Sequence, residues 1–343
     1  MENFKKLLRK NILELKPYSS ARDEYQGGEA VFLDANENPY REKYNRYPDP
    51  LQRKLKGRIS ELKGVSFENI FLGNGSDEPI DIVIRAFCDP GVDNIVAIDP
   101  TYGMYVVAAD INNVEYRKVK LNNDFTLDAL SVLQACDSKT KIIFLCSPNN
   151  PSGNLLDRNE IYKILNGFNG IVVIDEAYID FADTQSFVDE LPQYPNIVIL
   201  HTLSKAWGLA AVRLGMAFAH KEIVSVFNKI KYPYNINQLT QEYVYEALNL
   251  VGKKEQWVEQ INNNRSGLMN DLNSLPLVKK VYNSDANFFL AKVDEPNKVY
   301  DYLVVNKIIV RNRNNISLCS GCLRITVGTD DENKALYDCL KKY

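Results

Sequence analysis

The chain has very little histidine and tryptophan, and no long apolar run. Among 343 residues there are two histidines and two tryptophans. His201 and His220 stand far apart, which argues against a histidine-built metal site and against histidine-based nucleophilic catalysis. No stretch reaches the roughly 18–20 apolar residues that cross a bilayer, so no membrane span is expected. Lys and Arg number 41 against 44 Asp and Glu, a formal charge of −3. That balance leaves no basic surface for nucleic acid. The six cysteines are dispersed. Cys88, Cys136, Cys146 and Cys339 have apolar neighbours and read as small core residues. Cys319-Ser320-Gly321-Cys322 has C-x-x-C spacing, but a zinc ribbon needs a second pair and a thiol redox site needs a helix start, and neither is visible. Such cysteine usage implies a reducing, cytoplasmic compartment. Residues 1–15 are basic but lack the apolar core and cleavage site of a secretory signal. They read as an amphipathic helix with Phe4, Leu7, Leu8 and Ile12 on one side.

The composition that is present, 45% hydrophobic and 25% charged, is that of a soluble globular protein, and the length predicts about two domains. Residues 1–40 read as an arm. Pro17 breaks the first helix, Gly27-Gly28 allows a turn, and 34–40 is a polar loop ending at Pro39-Tyr40. Residues 51–62 carry a helical apolar pattern stopped by Gly64. Gly73-Asn74-Gly75-Ser76-Asp77 precedes a second helix over 80–87, with Ser76 placed to cap it and Pro79 in its first turn. That segment has two readings, an ordinary capped helix or a helix start that seats a phosphate.

Short apolar runs at 94–98, 141–146, 170–174 and 196–200 follow, with helical patterns at 127–133 and 157–165. Continuous apolar strands alternating with amphipathic helices predict an α/β large domain, its central sheet mainly parallel and covered on both faces. Ligands of such sheets bind beyond the carboxyl ends of the strands. Polar groups fall at those ends and gather Tyr102, Asn150, Asp175, Tyr178 and Lys205 around one crevice. After Asn235 the texture changes. Residues 239–275 read as one or two long helices broken near Gly252. Strands are predicted at 278–282, 288–291, 308–310 and 323–327, and helices at 298–305 and 331–340. This is a smaller α+β domain.

The segment 202–215 lies between two apolar runs and holds Ser204, Lys205, small residues and Arg213. A solvated lysine does not need such company. A lysine that reacts with a carbonyl does, since it needs a low-dielectric wall to favour the neutral amine and an anion held nearby. Alone, each residue of the crevice has a plain alternative: an ion pair or helix cap for Asp175, packing for Tyr102 and Tyr178. Together they suit a cofactor with an aldehyde, a pyridine ring, a phenolic oxygen and a phosphate. Lys205 takes the aldehyde and Asp175 the ring nitrogen. Tyr178 and Asn150 take the phenolic oxygen, and Tyr102 the ring face. Ser204, Arg213 and the Gly75-Ser76-Asp77 backbone take the phosphate.

Specific motifs carry a resemblance over nearly the whole chain: LDANENP at 33–39, RYPDP at 46–50, GNGSDE at 73–78, PTYGMY at 100–105, NNPSG at 149–153, DEAY at 175–178, the 204–215 stretch and CLRITVG at 322–328. On these the sequence resembles the fold type I pyridoxal-phosphate aminotransferases. Ser152 and Trp207 stand where threonine and phenylalanine are common, and neither carries the chemistry. The resemblance implies an arm over 1–40 packing with the small domain and a partner subunit, a cofactor-binding large domain over 41–238 and a small domain over 239–343. It implies pyridoxal 5'-phosphate as cofactor, with no metal, and a homodimer in which Tyr47 reaches the phosphate of the partner's site. It implies substrate-side roles for Tyr18, Asn36, Arg311 and Arg324, and transamination of L-histidinol phosphate with 2-oxoglutarate. An aromatic aminotransferase or a threonine-phosphate decarboxylase-like lyase on the same scaffold is the alternative. The residues agree on the two arginines, since a carboxylate or phosphate wants a planar bidentate donor. Surface solvation is the plainer reading for the adjacent Arg313.

Overall fold

The computed structural model describes residues 2–18, 25, 30–40 and 43–343. Its large unit is a seven-stranded sheet built from β1 (Ile70–Asn74), β2 (Asn94–Asp99), β3 (Glu115–Lys120), β4 (Thr140–Cys146), β5 (Ile171–Asp175), β6 (Ile197–Thr202) and β7 (Leu214–Ala219), in spatial order β1-β7-β6-β5-β4-β2-β3. Strands β3, β2, β4, β5 and β6 are parallel, and only β7 runs against its neighbours β6 and β1. The apolar runs are continuous because each strand feeds two cores. Ile143, Leu145, Val172, Ile174 and Ile199 enter one, while Ile142, Phe144, Val173, Val198 and Leu200 enter the other. Side chains alternate across a strand, so both parities must be apolar when both faces are covered. Burying each such side chain stabilises the fold by about 1.5–3 kcal/mol.

Helices α1 (Glu2–Leu7), α2 (Lys10–Glu14), α3 (Arg53–Lys63), α4 (Asp77–Phe87), α5 (Met104–Ile111), α6 (Ala129–Gln134), α7 (Arg158–Gly167) and α8 (Lys221–Ile230) belong to this unit. Gly64 ends α3 in the left-handed conformation at φ 63°, its N–H bonded to the Ser60 carbonyl, a geometry that glycine adopts without steric cost. The predicted first helix is two short ones. The chain turns at Leu8-Arg9, where the Arg9 N–H donates to the Ala86 carbonyl and its side chain reaches Asp89. Phe4, Leu7, Leu8 and Ile12 pack on the core of the large sheet. The start of the arm therefore sits on the large domain and not on the small one. The Gly27-Gly28 turn lies outside the described residues.

Then come α9 (Gln238–Ala247) and the long α10 (Val251–Asn273). The break between them falls at residues 248–250, a short 3₁₀ turn, rather than at Gly252. A second sheet, β8 (Val278–Val281), β9 (Phe288–Val293), β10 (Arg311–Asn312) and β11 (Cys322–Thr326), is antiparallel in the order β10-β11-β9-β8. With α10, α11 (Pro296–Val305) and α12 (Asp330–Leu340) it closes a separate core around Phe289, Leu303 and Ile325. The strand expected at 308–310 forms one register later, at Arg311–Asn312. There the backbone pairs with β11.

Candidate active site

The carboxyl ends of β4, β5 and β6, the start of α4 and the turn after β2 surround a cavity of about 140 Å³. Ser76, Asp77, Tyr102, Asn150, Asp175, Tyr178, Ser204, Lys205 and Arg213 line it, together with Cys146, Ala177, Thr202 and Ala210. Cys146 thus faces the cavity as well as the core. It is the register partner of Asp175 across β4 and β5.

Asp175 ends β5 and is 2% exposed. Its two oxygens each accept one hydrogen bond, Oδ2 from the Tyr105 hydroxyl at 2.6 Å and Oδ1 from the Ala177 N–H at 3.1 Å. Burial pushes this carboxyl up to about 6, against the pull of those two donors and of Lys205. A carboxylate so placed is held by donors yet short of a cation. Its neighbour Glu176 turns elsewhere and takes the Phe187 N–H and the Ser186 and His201 side chains. The strand end therefore presents one acid to the cavity and keeps the other for structure.

Lys205 stands in the turn between β6 and β7 with Nζ 5.5 Å from the centroid of the Tyr178 ring. Burial lowers its proton affinity first. Arg324 and Arg213 add to that, while Asp175 and Asp77 oppose it. The result favours a neutral, nucleophilic amine. Tyr178 is buried against Phe288, and its hydroxyl receives the Asn150 amide at 3.4 Å.

A cradle for an anion lies at the other end. Ser76 occupies the N-cap of α4, but its side chain makes no capping bond. The hydroxyl and the first N–H groups of the helix are thus not used within it. The Gly75 N–H donates to the Arg213 carbonyl at 2.8 Å, and Arg213 is left-handed at φ 58°. Gly215 lies flush on this turn, where an added Cβ would come within 2.2 Å of the Ser76 nitrogen and 2.3 Å of the Gly75 carbonyl carbon. Thr202 Oγ1 lies 3.0 Å from Ser204 Oγ and accepts the Ser204 N–H. Arg213 Nη1 donates to the Ala210 carbonyl at 3.2 Å and Nη2 makes a long 3.5 Å contact to Asp77, and Asp77 also accepts the Tyr102 hydroxyl at 3.0 Å. These donors fit a phosphate, and the buried acid and the amine of lowered proton affinity fit a ring nitrogen and an aldehyde.

Arg324 on β11 joins the second sheet to the cavity, its Nη1 donating to Asn150 Oδ1 at 2.6 Å. Arg311 is its direct partner across β10 and β11. Arg313 is half-buried with an Nε that has no partner, whereas Arg311 is exposed. Arg313 is therefore not simply a solvated surface charge, because its Nε is buried. Tyr18, Asn36 and Tyr47 do not line this cavity. Tyr18 is 72% exposed. Asn36 and Tyr47 line a separate surface groove with Tyr234 and Leu239, where Tyr47 stacks on Tyr234 at 4.5 Å. Tyr105 is the site residue that sequence reasoning missed. The available signal was its place one helical turn after Tyr102, which it meets edge-on at 5.6 Å.

The family model described as "Aminotransferase class I and II" matches residues 24–340. The chain belongs to that family. Among curated proteins, its full-length relatives include histidinol-phosphate aminotransferases. That of Bacteroides fragilis is 59% identical over 344 residues, covering 100% of both chains, and that of Cytophaga hutchinsonii is 59% identical over 341 residues, covering 98% of each. Among solved structures, the histidinol-phosphate aminotransferase from Clostridium acetobutylicum superposes with a TM-score of 0.80 at 25% identity, over 87% of this chain and 90% of that one.

Proposed function

We propose that the chain moves the amino group of L-histidinol phosphate to 2-oxoglutarate, giving imidazole-acetol phosphate and L-glutamate, with pyridoxal phosphate as cofactor. The single observation that carries this is the sharing of one cavity by Lys205, disposed to be neutral, and Asp175, a buried carboxylate with room for a cation. When bound, the cofactor supplies an aldehyde that carries nitrogen between the two substrates and a ring that withdraws electrons from the reacting carbon.

The chain's own residues divide the remaining work. Ser76, the Asp77 N–H, Ser204 and Arg213 would bind the phosphate, and Tyr102 would cover one face of the ring. Asp175 holds negative charge beside the ring nitrogen and keeps it protonated, while Tyr105 and the Ala177 N–H fix the plane of that carboxylate. Tyr178 and Asn150 hydrogen-bond the phenolic oxygen. Lys205 Nζ would hold the cofactor at its aldehyde carbon. As a free amine, the same nitrogen would take and return a proton at the substrate carbon. Arg324 and Arg311 bind the acidic end of the substrate; Tyr18 and Asn36, which lie outside this cavity in the single chain, serve the substrate from the arm. Tyr47 serves the site of a partner subunit, and the groove it shares with Asn36 is flanked by the exposed Leu33, Tyr44, Leu239 and Tyr243, which a homodimer would cover. The described residues contain no helix long and apolar enough to cross a membrane.

The test offers histidinol phosphate, phenylalanine and threonine phosphate separately to the cofactor-loaded enzyme with 2-oxoglutarate. Glutamate should form fastest with histidinol phosphate. Preference for phenylalanine, or carbon dioxide release from threonine phosphate, overturns the assignment.

A further inference from the structure

Three guanidiniums lie together on the second sheet. Arg311 and Arg324 are direct partners in the antiparallel β10–β11 pair, which puts both side chains on one face. Arg313 follows two residues after Arg311, and its N–H donates to the Cys322 carbonyl at 2.9 Å. The pairing thus continues beyond β10, and the alternation of the strand returns Arg313 to that same face. No carboxylate among the described residues forms an ion pair with any of the three. Arg313 and Arg324 each bury an Nε without a partner. Arg313 is the charge Arg324 feels most strongly, and Arg311 the charge Arg313 feels most strongly. Burying unpaired cations against one another is costly. Arg324 reaches Asn150, which lines the cavity, so this face of the sheet suits an anion that enters with the substrate.

We propose that Arg313 is a specificity-determining residue, the guanidinium that selects a doubly charged phosphate on the amino donor. This rests on the function proposed above and deepens it. A phosphate monoester carries about −1.5 to −2 charges near neutral pH, whereas the side chain of glutamate carries a single one. One pocket must accept both in the two halves of the reaction. Arg324, tied to Asn150, serves either anion. Arg313 adds the charge that only the dianion needs, and its fork can bind two oxygens at once.

The two half-reactions of Arg313→Gln should separate. With histidinol phosphate as amino donor, kcat/KM of the loaded enzyme falls about 10- to 100-fold, the worth of one charge-assisted hydrogen bond, and most of the loss is in KM. With glutamate as donor, kcat/KM stays within about fivefold, the size of a screened charge effect. Arg313→Lys keeps the charge without the fork and falls between. Inorganic phosphate, added to holoenzyme whose cofactor fills the other phosphate cradle, raises the melting temperature of the wild type and does so less for Arg313→Gln. Equal losses with both donors, or no loss with either, overturn the role of Arg313. If the wild type fails to convert histidinol phosphate, the proposed function has failed. The phosphate-melting comparison then still decides whether Arg313 binds phosphate.

Discussion

Replacing Tyr105 with phenylalanine removes one oxygen from beside Asp175 and leaves the ring stacked on Phe144 at 4.7 Å. The lost contact is a fully buried 2.6 Å hydrogen bond. Such a bond to a charged group contributes about 1.5–3 kcal/mol. At about 1.4 kcal/mol per pH unit, its loss lifts the Asp175 carboxyl by about one to two units. From about 6 in the wild type, it reaches about 7–8. The sign of the stability effect follows from the direction. The folded carboxyl lies above its ordinary value of 3.8, so ionisation is harder in the folded state. The contribution of this one group to the stability of the cofactor-free protein is therefore greatest below about pH 4, falls as pH rises from there toward 6, and then levels off. The wild type loses about 3 kcal/mol across that window from this group. The variant goes on losing stability to about pH 8. The assay is the carboxyl carbon resonance of Asp175 followed against pH, with denaturant unfolding at pH 5, 7 and 9. In the variant, cofactor affinity should weaken at pH 7 and recover at high pH. An Asp175 midpoint equal to that of the wild type would refute the assigned role of the Tyr105 hydroxyl.

Two further outcomes follow from the same geometry. Gly215→Ala places a methyl 2.2 Å from a backbone nitrogen that no side-chain rotation can clear. It should cost about 1–3 kcal/mol of stability and weaken cofactor binding, both read by thermal melting with and without cofactor; a wild-type cofactor affinity would contradict the cradle. If Tyr47 serves the partner's site, mixing inactive Lys205→Ala with impaired Tyr47→Phe subunits rebuilds one complete site per hybrid dimer. Activity should rise on mixing, and the absence of any rise would exclude the shared site.

Much of this arrangement could be read from residue types alone. Strands β2, β4, β5 and β6 are apolar at both parities because two cores flank them, and few other elements carry that pattern. Strand β3 was invisible because it is the sheet's edge. Its residues Glu115, Arg117, Lys118 and Lys120 are charged, as suits an edge that must not pair further. The split of the first helix at Leu8-Arg9 depends on tertiary bonds to Ala86 and Asp89 that no local pattern announces. The cavity residues could be placed because each follows a strand end in an α/β sheet. Tyr105 could not, since its hydroxyl meets Asp175 only after α5 packs on β4 and β5. Residue type likewise does not say that Arg313 buries its Nε while the neighbouring Arg311 is exposed.

The most direct measurement is borohydride reduction of the cofactor-loaded enzyme, followed by peptide mass mapping. The mass of the reduced cofactor should appear on the peptide that contains Lys205 and on no other, and Lys205→Ala should carry none. Attachment at another lysine, or an active enzyme that carries no attachment, would contradict the role given to Lys205.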